Sequence, residues 1–295
     1  MREIYHFFLH LRLHYQFFLL SGGYLLGGLM AGQMDTGQFW LQFLNVHILL
    51  FGGATAYNSY WDKDEGPIGG LRNPPKMTLW MHPVSLLFMF AGWIWAYQVG
   101  TVYFLVYGFS LLLFWLYSTP HARWKGNPHL SLVAIALSTG LNSVLLGATA
   151  AGGSLSVTLV LAAIGASLVL LSLYPVSQIY QFDEDQKRGD ITFAGCYGVM
   201  GVKRFYLFSY FFGLLVLSAG LYSFFIIPAL LLFIIGLLSG VIIFKIIVTL
   251  TGDPVEYKTV MRVKLLASLS FVLFLLIANS IRHEWIGNTA LKIYF

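Results

Sequence analysis

Asn58, Asp62, Asp64 and Glu65 close one long apolar run, and Asp183, Glu184 and Asp185 close another. If the helix of the first run continues through Asp62, Asn58 and Asp62 lie one turn apart on one face. Carboxylates of this kind are hard oxygen ligands. Mg²⁺ usually takes one or two of them and completes its shell with water and substrate phosphate oxygens. Two such clusters facing each other would repel, unless a divalent ion and a diphosphate lay between them. The segment YSTPHARWKGNP offers the complement, because Arg123 and Lys125 could neutralise a departing phosphate, Arg as a fork and Lys as a point charge. One acid cluster alone reads best as a solvated loop whose acids pair with nearby Lys and Arg. Two clusters at corresponding helix ends point instead to a metal–phosphate site.

Other residue types are weaker signals. Tyr57, Tyr60, Trp61, Tyr117, Tyr174 and Tyr180 precede the charged segments. Most fit an aromatic belt at a membrane surface, although a ring face in a dry cavity also stabilises a cation. Asn142 stands in the middle of an apolar run and suits either a helix–helix contact or a polar pocket lining. His6, His10 and His14 recur at helical spacing. With no carboxylate beside them they read as part of an amphipathic lead-in over residues 1–12 rather than a metal face. Cys196, the single cysteine, excludes an internal disulfide and reads as a small buried residue.

The elements that must position these groups are apolar helices. The chain is 58% hydrophobic and only 10% charged over 295 residues, against about 25% charged for a soluble domain. A helix that crosses a bilayer needs about 20 apolar residues. Runs at 13–33, 39–61, 79–98, 101–118, 129–150, 154–178, 204–222, 224–249 and 260–281 supply nine candidates. The expected fold is an all-α integral membrane bundle of nine helices around a central cavity. It forms one domain over 1–295, capped by Asp-rich loops at about 58–78 and 180–203.

Connections alternate between short ones, whose single charge is Asp35, and long charged ones. The long ones hold most of the Lys and Arg, so the positive-inside rule puts them and the N-terminus in the cytoplasm and the C-terminus outside. That rule does not account for acids. Nine of the twelve carboxylates nevertheless share the basic face, which is why chemistry rather than topology is the better reading of them. The net charge of +5 reports topology and gives no sign of a nucleic-acid partner.

Nine spans, acid clusters after the second and sixth, and a Tyr-Ser-x-Pro-x-x-Arg-x-Lys segment after the fourth resemble the UbiA superfamily of intramembrane prenyltransferases. The first motif of that family is Asn-x3-Asp-x3-Asp. Asn58 and Asp62 match it, while Gly66 holds the third position with Asp64 and Glu65 as the nearest acids. In the second motif Asp185, Gly189 and Thr192 match, and Gln181 stands at the leading aspartate with Asp183 and Glu184 beside it. Arg72 stands in for a family arginine. The resemblance implies Mg²⁺-dependent transfer of an isoprenyl chain from a prenyl diphosphate to a lipid-soluble or aromatic acceptor such as a quinone precursor. It happens within membrane lipid, in a bacterial or archaeal plasma membrane.

Asp62, Asp185, Arg123 and Lys125 would then be catalytic. Asp62, Asp64, Glu65, Asp183 and Asp185 would hold metal. Asn58, Arg72, Tyr117, Asn142, Tyr180 and Lys187 would join Arg123 and Lys125 in binding substrate. Two rivals remain: a terpene cyclase of the same superfamily, which closes the cation on its own double bonds, and a transporter or non-catalytic binding protein.

Overall fold

The structure is a computed structural model and describes residues 2–285. Among these residues the regular elements are all helices, apart from one isolated bridge between Ile68 and Leu71. The lead-in is α1 (Arg2–His10). It is followed by α2 (residues 13–30), α3 (Thr36–Asp62), α4 (Met81–Ala96), α5 (Thr101–Ser118) and α6 (Pro128–Ala150). The remaining helices are α7 (Val157–Lys187), α8 (Phe193–Tyr222), α9 (Ile226–Val248) and α10 (Pro254–Arg282).

Seven of these are long and apolar enough to cross a membrane, which is fewer than the nine expected. The difference lies at two elements. α4 has only 16 residues. α2 is helical but opens on His14 and Gln16 and carries two glycine pairs, which dilute its apolar character. The expected C-terminal side of the membrane concerns residues beyond those described.

Close backbone crossings accompany a core of large buried side chains such as Tyr24, Phe39 and Tyr107. A Cβ at Gly27 would run into the Val144 carbonyl, and one at Gly147 into the Tyr24 carbonyl, so α2 and α6 touch backbone to backbone. Gly165 and Gly213 make the same kind of contact between α7 and α8. Small residues are the usual means of helix association in lipid, where apolar side chains gain little by leaving the tails. Outward faces remain greasy: Leu79, Ile94 and Phe208 are exposed.

Three helices are locally widened into π turns, at Gln16–Leu20, Asn45–Gly52 and Ala136–Leu141. Each contributes side chains to one central cavity, through Leu19, Phe51 and Thr139 among others. Such turns re-aim side chains inward at a cost in hydrogen bonding, and they recur at functional sites. Pro175 does related work in α7. It lacks the N–H that would continue the ladder, and the chain tightens into a 3-10 stretch over Pro175–Gln181. That stretch delivers Gln178 and Tyr180 to the cavity.

The second acidic segment is not a loop. Asp183, Glu184 and Asp185 occupy the first turn of a short helical piece, Phe182–Lys187, where acids complement the positive helix end.

Candidate functional site: an ion-paired clamp at the mouth of an apolar cavity

Local signals bring the charged segments together. Lys63 takes a left-handed conformation, φ 52°, and ends α3 directly after Asp62. Asn127 caps α6 by accepting from the His129 and Leu130 amides, with Pro128 in the first turn, so the Arg123–Lys125 turn is fixed just above α6. Thr192 caps α8 by accepting from the Gly195 amide, which pins the end of the second acidic segment.

The cavity has a volume of about 660 Å³. One end is charged, lined by Asp62, Asp64, Lys125, Asp185, Arg188 and Asp190. The rest is apolar, with Phe114, Leu217, Leu232 and Phe274 in its walls. Ile235, Leu273 and Ile277 line it and are also exposed on the outer surface, so it opens sideways between α9 and α10.

At the charged end, two acid groups face each other and two cations bridge them. Arg188 donates to Asp64 at 2.5 Å and to Asp185 at 2.7 Å, one carboxylate from each acidic segment. Lys125 pairs with Asp62 and lies 3.8 Å from Asp190. Arg123 makes a bidentate pair with Asp190 at 2.6 and 2.9 Å, and Arg188 reaches the same carboxylate at 3.4 Å. The Asp190 side chain is 2% exposed, so it is a buried anchor shared by three cations. Burial, and then the charge on Asp62, push the Asp64 carboxyl above its usual range, while Arg188, Lys125 and Arg12 pull it back. Burial works against the charge on Arg188, but Asp64, Asp62 and Asp185 outweigh it and hold the guanidinium firmly protonated.

Of the residues singled out in the sequence, Asn58, Asp62, Asp64, Tyr117, Lys125, Tyr180 and Asp185 line the cavity. Asn58 donates to Ser118 Oγ at 3.2 Å, and the Tyr117 and Tyr174 hydroxyls are 2.9 Å apart. Arg123 stands behind the lining, against Asp190. The structure does not bring Glu65, Arg72, Asp183 or Lys187 to the cavity, because their side chains are exposed to the outside. Asn142 is buried in a helix contact, donating to Ser110 Oγ at 2.8 Å. Glu184 accepts from the Gly66 amide at 2.6 Å, so a carboxylate from the second segment reaches the position where the first motif lacks its aspartate. Cys196 is exposed, not buried, because it lies on the outer face of the first turn of α8, whose Phe193 and Ala194 face the core.

Four charged cavity-lining residues escaped the sequence reading: Arg12, Arg188, Asp190 and Lys264. Arg12, Arg188 and Lys264 counted only as positive-inside charges, and Asp190 as one more acid on a charged face.

Asp62, Asp64 and Asp185 present only hard oxygens to the cavity, a donor set suited to Mg²⁺. Among the described residues no three His, Cys, Asp or Glu side chains are grouped so as to hold a metal ion by themselves. An ion at these carboxylates would rely on water and phosphate oxygens for the rest of its shell.

A profile of the UbiA prenyltransferase family matches residues 20–266, and the chain belongs to that family. Solved structures share the fold. One is a UbiA homologue from Archaeoglobus fulgidus bound to GPP and Mg²⁺, with 14% identity, 94% of this chain and 100% of that chain covered, and a TM-score of 0.73. The Archaeoglobus fulgidus homologue bound to DMAPP and Mg²⁺ gives 14% identity, coverage of 93% and 99%, and a TM-score of 0.72. A structure of digeranylgeranylglyceryl phosphate synthase gives 16% identity, coverage of 95% and 99%, and a TM-score of 0.64. No curated protein matches the chain by sequence.

Proposed function

We propose that this protein transfers an isoprenyl chain from a prenyl diphosphate to a hydrophobic or aromatic acceptor inside the membrane. The observation that carries this reading is the bridged pair of acid groups at the mouth of the apolar cavity. Family membership supports it, as do the GPP, DMAPP and Mg²⁺ in related structures.

In this reading the diphosphate head lies at the charged end and the tail lies along the apolar walls. Asp62, Asp64 and Asp185 would hold Mg²⁺, which when bound neutralises charge growing on the diphosphate as the C–O bond breaks. Lys125 and Arg188 exchange part of their carboxylate pairing for the diphosphate oxygens. Their positive charge counts most where bond cleavage places negative charge. Arg123 holds Asp190, and Asp190 in turn holds Lys125 and Arg188 in place. The apolar walls keep water from the allylic cation, so that it lasts until an acceptor captures it. Asn58 would orient a phosphate oxygen or a metal-bound water.

The test uses purified full-length protein, geranylgeranyl diphosphate and Mg²⁺, with and without a quinone precursor. Transfer predicts a prenylated acceptor and little turnover without it. A cyclic hydrocarbon or terpene alcohol formed without acceptor would assign the cyclase reading instead. Absence of diphosphate release from any prenyl donor would assign a non-catalytic protein.

A further inference from the structure

Two positions of the acid motifs, Gly66 and Gln181, carry no acid in this chain. A Cβ on Gly66 would collide with the Glu184 carboxylate, which accepts from the Gly66 amide at 2.6 Å. An aspartate at 66 therefore has no room while Glu184 stays. Gln181 is neutral and turns to the first segment, donating to the Pro67 carbonyl at 3.4 Å. A cation has come in where these acids are missing. Arg188 caps the short helical piece Phe182–Lys187, one turn beyond Glu184 and Asp185, so it shares their face. Gly189 follows with a left-handed φ of 73°, and the chain turns back at once to Asp190.

The Arg188 guanidinium fills the gap between the two acidic segments. Nη1 donates to Oδ1 of Asp64 and Nη2 to Oδ1 of Asp185. Nε reaches Asp190, so a third carboxylate fixes the plane of the fork. Such a fork keeps its charge and matches carboxylates in direction as well as in sign. The lining is balanced in charge: Asp62, Asp64, Asp185 and Asp190 face Arg12, Lys125, Arg188 and Lys264. It holds no surplus of acid to offset several divalent ions, which would be the largest charges in the site. Arg188 uses one oxygen of Asp64 and one of Asp185, and Lys125 uses one of Asp62. The oxygens left over suit one ion, which takes one or two carboxylates and then phosphate.

We infer that Arg188 is a built-in cation that replaces a divalent ion between the two acidic segments, so that the mouth binds a prenyl diphosphate with a single Mg²⁺ and this guanidinium. Gly66, Gln181 and Glu184 belong to the same exchange, because the acids given up and the cation gained offset each other. A neutral residue at 188 leaves four lining acids against three cations, and a second ion then restores the balance. This inference rests on the prenyl-transfer reading and adds the ion count to it.

The experiment counts ions on the full chain in detergent, saturated with unreactive geranyl thiolodiphosphate, with Mn²⁺ in place of Mg²⁺. Electron paramagnetic resonance gives the bound Mn²⁺ from the loss of the free-ion signal, and spin coupling reveals two ions in one site. Wild type should bind one uncoupled Mn²⁺ per chain. Arg188→Gln should bind two coupled ions, and Mn²⁺ should raise its melting temperature more than that of wild type. Lys187→Gln, at the exposed neighbour, should keep the wild-type count. Two coupled ions in wild type would mean that ions displace the bridge, and would overturn the inference even if Arg188→Gln does not fold. One ion in both wild type and Arg188→Gln would overturn it too, since the guanidinium would then replace nothing. A wild-type thiolodiphosphate complex without Mn²⁺ would do the same. Failure of the wild type to bind the thiolodiphosphate at all would instead strike the prenyl-transfer reading.

Discussion

Arg188 is the residue on which the clamp depends, because it alone joins Asp64 to Asp185 directly. Replacing it with Gln leaves two largely buried carboxylates facing each other. Removal of one partner from a buried pair costs about 3 kcal/mol or somewhat more, and this guanidinium is 17% exposed, so about 2 kcal/mol is the expectation. The loss has a pH signature. Asp64 already titrates above its usual range because of burial and Asp62, and without Arg188 it rises further. A carboxyl raised in the folded state stabilises the fold below its unfolded pKa, and that contribution is lost as pH rises through the folded one. Arg188→Gln should therefore melt closer to wild type at pH 5 than at pH 8, as measured by thermal unfolding in detergent. A deficit that is equal at both pH values would remove Asp64 from the account.

Asp190 tests the indirect role of the basic turn. Asp190→Asn frees Arg123 and loosens Lys125, so the KM for prenyl diphosphate should rise about tenfold, with a smaller change in kcat. Lys187→Ala, on an exposed side chain, should change either constant less than twofold. A larger effect at Lys187 than at Asp190 would reverse the assignment of the two neighbours. The sequence favoured Lys187 and passed over Arg188, since adjacent basic residues beside a membrane are equivalent to a composition argument. Only the end of α7, with its Pro175 break, decides which of them turns inward.

At the scale of elements, the close crossing of α2 and α6 is the most demanding contact. Gly147→Leu would drive a side chain into the Tyr24 carbonyl. Overpacking of this kind costs about 1–3 kcal/mol, and a clear fall in melting temperature is expected, against little change for Gly32→Ala, where a Cβ has open space. α1 offers a milder test. His10 meets the Pro75 carbonyl at 2.7 Å and His14 the Gly70 carbonyl at 2.9 Å, so the lead-in docks on the segment after Asp62. Burial, as the largest cause, lowers the His10 pKa to about 4. A histidine depressed in this way stabilises the docked state above its unfolded pKa, and that stabilisation is lost as pH falls from about 6.5 towards 4. Proteolysis within α1 should therefore accelerate over that window in wild type and stay flat in His10→Gln. Most helices were legible from apolar runs, but α8 begins at Phe193, well before the run expected at 204–222. The three π turns were not, because they lie inside apolar runs that read as ordinary helix.

For the whole molecule, the sequence disclosed that the acids gather at one end of the bundle, because acids are scarce in a greasy chain and these ones cluster. It did not disclose that the clamp closes on itself with Lys125 and Arg188, since the partners come from α3, the turn before α6, and the end of α7. Nor did it disclose the sideways opening between α9 and α10, which depends on Ile235, Leu273 and Ile277 facing both inward and outward. The central claim is that the bridged acid groups drive Mg²⁺-dependent ionisation of a prenyl diphosphate. It is tested most directly by the rate of diphosphate release from geranylgeranyl diphosphate, with acceptor present, in nanodiscs. Wild type should release diphosphate with Mg²⁺ and stop when the metal is chelated, and Asp62→Asn should be slower by about 10²–10³. Full turnover by Asp62→Asn, or release by wild type that ignores chelation, would contradict it.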